Sequence, residues 1–205
     1  MLLYLIILIG VMALVLYVSS PEFKVKLGEI AITGQANNHL GEEYTLLNNC
    51  NLASNNGAVQ IDHILLSPYG IFVIETKNHH GEIFGSPEQT KWTCKIYKTS
   101  FKFKNPLQKN QNHVAVVQKL LADLTLSQNL KSVVVFTSQS SFKTDMPVNV
   151  VKGLAWIDYI KQFDQAIISP QMLERIQYRI EQNLLKKEAM PAHIPVENLE
   201  DKRAA

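Results

Sequence analysis

The chain has 205 residues, a formal net charge of +2 and a hydrophobic share of 46%. That length allows one domain of ordinary size with short additions, and so small a charge gives no argument for nucleic-acid binding by itself. The two cysteines, Cys50 and Cys94, belong to no CxxC or Cys/His ligand pattern, which fits reduced thiols in a cytoplasmic setting rather than a disulfide scaffold.

The first stretch, LLYLIILIGVMALVLYVSS from Leu2 to Ser20, carries no charged side chain. About 18 apolar residues can span a bilayer as a helix, so residues 2–20 are expected to form a transmembrane helix. No cation precedes the run and no clean small-x-small site follows it, which argues against a cleaved signal. Lys24 and Lys26 follow directly. Cations on that side predict a single-pass protein of the cell membrane with the rest of the chain in the cytoplasm.

Next, PEFKVKLGEIAITGQANNH reads as a soft helix ending near His39, with a weak stripe of Leu27, Ile30, Ala31 and Gly34. YTLLNNCNL is a short strand and ASNNGA a turn. QIDHILLSPYGIFVIETKN, Gln60 to Asn78, reads as two strands around a tight turn, with Pro68 and Gly70 at favourable turn positions. If Ser67 faces Gly70, counting back along both strands puts Asp62 directly across from Glu75. Lys77 then leaves the same face of the same strand as Glu75. Two carboxylates about 5 Å apart, at an effective dielectric of about 20, repel by about 3 kcal/mol. A shared proton, a lysine or a divalent cation is needed to offset that.

TKWTCKIYK and FKFK alternate as a hairpin should. Lys91, Lys95, Lys98, Lys102, Lys104 and Lys109 are interleaved there with Trp92, Tyr97, Phe101 and Phe103. Such a face can hold a phosphate backbone and offer stacking surface, or it can be an amphipathic hairpin with lysines on its solvent side. NPLQKNQNHVAVVQKLLADL is a helix capped by Asn105 with Pro106 at its first position, and Leu107, Val114, Val117, Leu121 and Leu124 lie roughly on one face. KSVVVFTS is a buried strand and VNVVKG a second short one. LAWIDYIKQF and SPQMLERIQYRIEQNLLKK are amphipathic helices, the latter capped by Ser169. Residues 188–205 read as a loose tail. No GxGxxG or Walker loop is present. The pattern of elements predicts an α/β fold, a mixed sheet flanked by helices.

Asp62 and Glu75 converging on one point are suitable ligands for Mg²⁺ or Mn²⁺. A metal so held activates water and stabilises charge on a phosphoryl oxygen, and Lys77 can orient the water or neutralise the transition state. His63, His79 and His80 do not make a zinc site, because adjacent strand residues point to opposite faces. His113 reads as an interior hydrogen-bond partner.

GEIA, QIDHILLSPYGIFVIETKNHHGEIFGS, KW and FKNPLQKNQNH resemble the nuclease-related domain, NERD, a family of the restriction-endonuclease-like PD-(D/E)XK superfamily. The resemblance covers about residues 24–187. It implies a metal-dependent nuclease with Asp62, Glu75 and Glu29 as ligands of Mg²⁺ or Mn²⁺ and Lys77 as the catalytic lysine. The expected partner is nucleic acid, DNA in preference to RNA, with Lys91, Lys95, Lys102, Lys104 and Lys109 as the candidate backbone contacts. The family's usual NPxxQN is NPLQKN here. Lys109 stands where a glutamine is expected, and Gln108 is one step away, about 100° around the helix. Either residue is a candidate for the helix's contribution to catalysis. The alternative expectation is a degenerate nuclease fold that binds nucleic acid or a protein partner at the membrane without cutting.

Overall fold

The computed structural model describes residues 2–54, 57–124 and 129–184. The expected loose tail, 188–205, lies outside them. The Leu2–Ser20 run does become a helix, α1 (Leu2–Ser19), but the expected membrane span is corrected. Among the described residues no helix is long and apolar enough to cross a membrane. The physical reason is where α1 stops. The Ser20 hydroxyl accepts the Phe23 N–H at 3.2 Å and caps a second helix, α2 (Pro21–His39). That cap ends α1 at Ser19, so the apolar run is not continued into a longer helix.

The strands form two sheets. The larger runs in the order β1 (Thr45–Ser54), β2 (Gly57–Ser67), β3 (Gly70–Lys77), β7 (Leu130–Phe136), β9 (Val150–Lys152). Its first three strands are antiparallel, while β3, β7 and β9 are parallel, so the sheet is mixed. The smaller sheet runs β6 (Thr99–Lys104), β5 (Lys91–Ile96), β4 (Gly81–Phe84), β8 (Ser140–Phe142). Its strands β4, β5 and β6 lie in the chain between β3 and β7, and β8 follows β7. The three-residue β8, parallel to β4, has no signal in the sequence and exists because β4 offers it an edge.

The central strands read as unbroken apolar runs because both of their faces are covered. On one face Ile64, Leu66, Ile71 and Val73 pack with Val117 and Leu121 of α3 (Pro106–Leu120) and its C-terminal turn, and with Ile176 and Ile180 of α5 (Pro170–Gln182). On the other, Leu65, Phe72, Ile74, Val133 and Val135 pack with Ile32 and Ala36 of α2 and with Trp156 and Ile160 of α4 (Ala155–Lys161). The smaller sheet joins through Phe136, on which Trp92 stacks at 6.1 Å between ring centres. Cys50 and Cys94 are free and buried.

The α2 stripe is not the expected one. Leu27 and Ile30 stay 47% and 59% exposed, and the buried line is Gly28, Ile32, Ala36. Gly28 lies against Thr76 and Asn78, where a Cβ would sit 3.6 Å from the Asn78 side chain. Close approach to β3, rather than side-chain size, sets the phase of this helix.

α3 is bound to the sheet by polar contacts. Asn105 accepts the Leu107 N–H at 2.9 Å, and its amide donates to the carbonyls of Ser86, Pro87 and Gln89. One turn on, the Asn110 amide donates to Val73 O at 2.8 Å, Ser132 Oγ at 2.8 Å and Val133 O at 3.1 Å, bridging β3 and β7. Asn110→Ala leaves buried acceptors unsatisfied, so it is expected to lower unfolding free energy by about 2 kcal/mol. Urea denaturation of both proteins checks this, and an unchanged midpoint would show that the bridge contributes little.

Candidate active site

The turn pairs Ser67 with Gly70, and the β2–β3 ladder runs from there to His63 opposite Ile74. Asp62 and Glu75 are therefore next in register, but the ladder stops one pair short of them. The cause is a distortion shared by β1 and β2. Asn49 has a positive φ of 53°, and the Asn49–Asp62 pair is missing from an otherwise continuous β1–β2 ladder. Beyond it Ile61 joins the same core cluster as Ile64, although residues three apart on a regular strand face opposite ways. Both strands thus turn over at this point. Freed from the ladder, the Asp62 carboxylate swings to β3 and its Oδ2 accepts the Thr76 N–H at 2.8 Å. Asp62 is 8% exposed.

Glu75 is only 1% exposed, yet it is surrounded by cations. Its Oε1 lies 2.8 Å from Lys109 Nζ and 3.1 Å from Lys77 Nζ. Its Oε2 lies 3.6 Å from His113 Nδ1, too far for a hydrogen bond, and both of those atoms are buried without a hydrogen-bond partner. Burial works against the charged carboxylate. Lys109, then Lys77, then His113 outweigh it and hold Glu75 down at about 2. Burial also lowers the His113 imidazole below its usual value, against the pull of Glu75. The two lysines are the larger part of the compensation at Glu75.

A carboxylate whose folded value lies below its unfolded one stabilises the fold above the unfolded value and loses that contribution as pH falls through the folded value. For Glu75 the window runs from 4.5 down to about 2. The expected result is an acid-unfolding limb in that window that is absent in Glu75→Gln. Thermal melts across pH 2–6 read it, and identical limbs in both proteins would contradict it.

Of the two α3 candidates, Lys109 reaches Glu75. Gln108 is exposed and turned to the 86–89 turn, its amide 3.4 Å from Pro87 O and 3.5 Å from Gln89 O. Glu29 sits on α2, which packs against Thr76 and Asn78. Those residues alternate with Glu75 and Lys77, so α2 covers the other face of β3. Among the described residues no three His, Cys, Asp or Glu side chains gather in a way that could hold a metal ion. The expected three-acid set of Glu29, Asp62 and Glu75 is thus not assembled. His113 is a neighbour of Glu75 that sequence reasoning treated as interior packing. Its place one helical turn after Lys109 was the available signal.

Asp62 and Glu75 still fit a divalent cation as a two-carboxylate pair. They are hard oxygen donors, and Glu75 Oε2 is buried with no hydrogen bond to satisfy it. Mg²⁺ commonly takes one or two protein carboxylates, keeps waters, and completes its shell with substrate phosphates.

On the β5–β6 hairpin Lys91 pairs with Lys104 and Thr93 with Lys102, so Lys91, Lys95, Lys102 and Lys104 share one face. Lys95 and Lys143 lie 3.9 and 3.2 Å from the Glu82 carboxylate. The aromatic half of the expected binding surface is corrected. Trp92 and Phe103 are 0% and 2% exposed on the opposite, inner face, and of the hairpin's large rings Tyr97 at the turn is the exposed one, at 94%.

A mixed sheet whose central hairpin brings an acid beside a Glu-x-Lys pair, with a helix supplying a further cation, belongs to the nuclease-related α/β proteins. A family model described as the nuclease-related domain, NERD, matches residues 24–137, and the chain belongs to that family, whose fold class is PD-(D/E)XK. Nuclease domains of this class commonly use divalent metals. An uncharacterized protein of Bacillus anthracis is 33% identical over 102 residues, which cover 49% of this chain and 48% of that protein. The chain therefore spans about half the length of the curated relative it matches. No solved structure matches it.

Proposed function

We propose that this chain hydrolyses phosphodiester bonds of nucleic acid, DNA in preference to RNA, at Asp62, Glu75 and Lys77, with Mg²⁺ or Mn²⁺ as cofactor. The observation that carries the reading is the buried, ionised Glu75 with Lys77 and Lys109 at 3.1 and 2.8 Å. Asp62 is held beside it through Thr76.

Asp62 and Glu75 would hold the metal, which when bound supplies an activated water and relief of charge on the phosphoryl group. Glu75 stays ionised throughout the working pH range, so it accepts hydrogen bonds and gives none. Lys77, buried on the same strand face, donates to the attacking water or to a phosphoryl oxygen and neutralises charge as it develops. Its environment excludes most water, which strengthens that interaction. Lys109 enters from α3 and is the more exposed of the two ammonium groups, 21% against 7%, so it is the one suited to meet an incoming phosphate. Lys91, Lys95, Lys102 and Lys104 offer further phosphate contacts on one face of the hairpin.

The test is cleavage of DNA and RNA, single- and double-stranded, by the full chain with Mg²⁺ or Mn²⁺, beside Asp62→Asn. The expected outcome is metal-dependent cleavage that Asp62→Asn reduces by about a hundredfold or more. Absence of cleavage on every substrate, with salt-sensitive binding retained, would favour the second reading: a nuclease fold that binds without cutting. The observation on its side is Lys109 itself, which stands at Glu75 where the family usually carries a neutral glutamine.

A further inference from the structure

The formal charges around Glu75 already cancel. Asp62 and Glu75 contribute two negative charges, and Lys77 and Lys109 two positive ones. A divalent ion entering this set would meet two ammonium groups at 2.8 and 3.1 Å from the oxygen Oε1 of one of its ligands. With a neutral residue at position 109 the set would be one charge more negative and would attract the ion more strongly. The Lys77 side chain is 7% exposed and is carried on a central strand. Lys109 is 21% exposed on the first turns of a surface helix, with a long flexible stem.

We propose that Lys109 is a resident counter-ion of Glu75 that competes with the divalent cation, so that cation and phosphodiester are taken up together rather than the cation first. This rests on the hydrolytic reading above. A phosphate arriving at the site draws the Lys109 ammonium away from Glu75. The freed carboxylate then admits the cation, while the lysine stays in use as a phosphate contact. By linkage the effect is reciprocal: bound cation strengthens phosphodiester binding by the same factor.

The experiment is Mn²⁺ binding to the full chain, followed by the paramagnetic resonance signal of free Mn²⁺. It is run with and without a short phosphorothioate-linked oligodeoxynucleotide, with Asp62→Asn giving the background. The wild-type chain is expected to bind Mn²⁺ weakly alone and about tenfold or more tightly with the oligonucleotide. Lys109→Gln is expected to bind Mn²⁺ alone about tenfold or more tightly than wild type, with the oligonucleotide adding little. Lys109→Arg, which keeps the charge, should behave as wild type and guards against an effect of misfolding. Equal, Asp62-dependent Mn²⁺ affinity in wild type and Lys109→Gln would overturn this proposal and leave the hydrolytic reading standing. No Asp62-dependent Mn²⁺ binding in any of these proteins would overturn both.

Discussion

Replacing Lys77 with alanine is expected to lower phosphodiester cleavage by about a thousandfold or more, while the rise in melting temperature caused by Mn²⁺ stays in place. Lysine is not a metal ligand, so its loss removes orientation and charge neutralisation at the reacting phosphate without removing a donor to the ion. Its 3.1 Å approach to Glu75 also means that one of two cations beside a buried carboxylate disappears. Lys109 remains at 2.8 Å and keeps that carboxylate charged, so the fold is expected to survive the change. Cleavage rate and Mn²⁺-dependent melting are measured on the same preparations. A Lys77→Ala protein that cuts at the wild-type rate would remove this residue from the mechanism.

Glu75→Ala is expected to be the most damaging single change to stability. Removing one partner of a buried ion pair leaves an uncompensated charge, at a cost of about 3–5 kcal/mol. Here two ammonium groups lose their shared anion, but unequally. Lys109 can turn to solvent, whereas Lys77 is 6% exposed on a central strand and loses its 3.1 Å contact to the carboxylate there. For a domain of this size that cost corresponds to a fall in melting temperature of about 10 °C or more. The double variant Glu75→Ala, Lys77→Met should recover a substantial part, because it removes the stranded charge as well. If the single and double variants melt together, the penalty does not come from Lys77.

Much of this arrangement can be read from the chain. The SPYG turn fixes the β2–β3 register because Ser67 and Gly70 must pair, and the rest follows by counting along strands with a period of two. Asn105 followed by Pro106 announces the start of α3 for equally local reasons. What could not be read is where a regular ladder gives way. The distortion at Asn49 lies on a different strand from Asp62 and belongs to no motif, yet it decides that the Asp62 carboxylate meets the Thr76 N–H. The phase of α2 was hidden for a related reason. Packing against β3 favours the absent side chain of Gly28, so the larger Leu27 and Ile30 misled. The lysines of β5 and β6 alternate as expected, but alternation alone does not tell which face is covered, and the aromatic residues went inward. The helix ending at Ser19 turned on one hydroxyl, which capped α2 and shortened an apolar run that composition alone would extend.

The parallel pairing of Ile71–Lys77 with Leu130–Phe136 bears on how the molecule comes into being. β1, β2 and β3 follow one another directly in the chain and can associate as soon as they are synthesised. β7 must wait for β4, β5, β6 and α3, and contacts between segments so distant in sequence close slowly. Asn110 bridges β3 to β7, so α3 has no firm seat until that closure. During this interval Asp62, Glu75 and Lys77 already share a hairpin, while Lys109 and His113 still float free of it. The acid pair then repels itself with Lys77 as its nearby counter-charge. The order of synthesis thus makes the docking of α3 a late, electrostatically favoured step, and a refolding phase that slows at high salt is its kinetic signature.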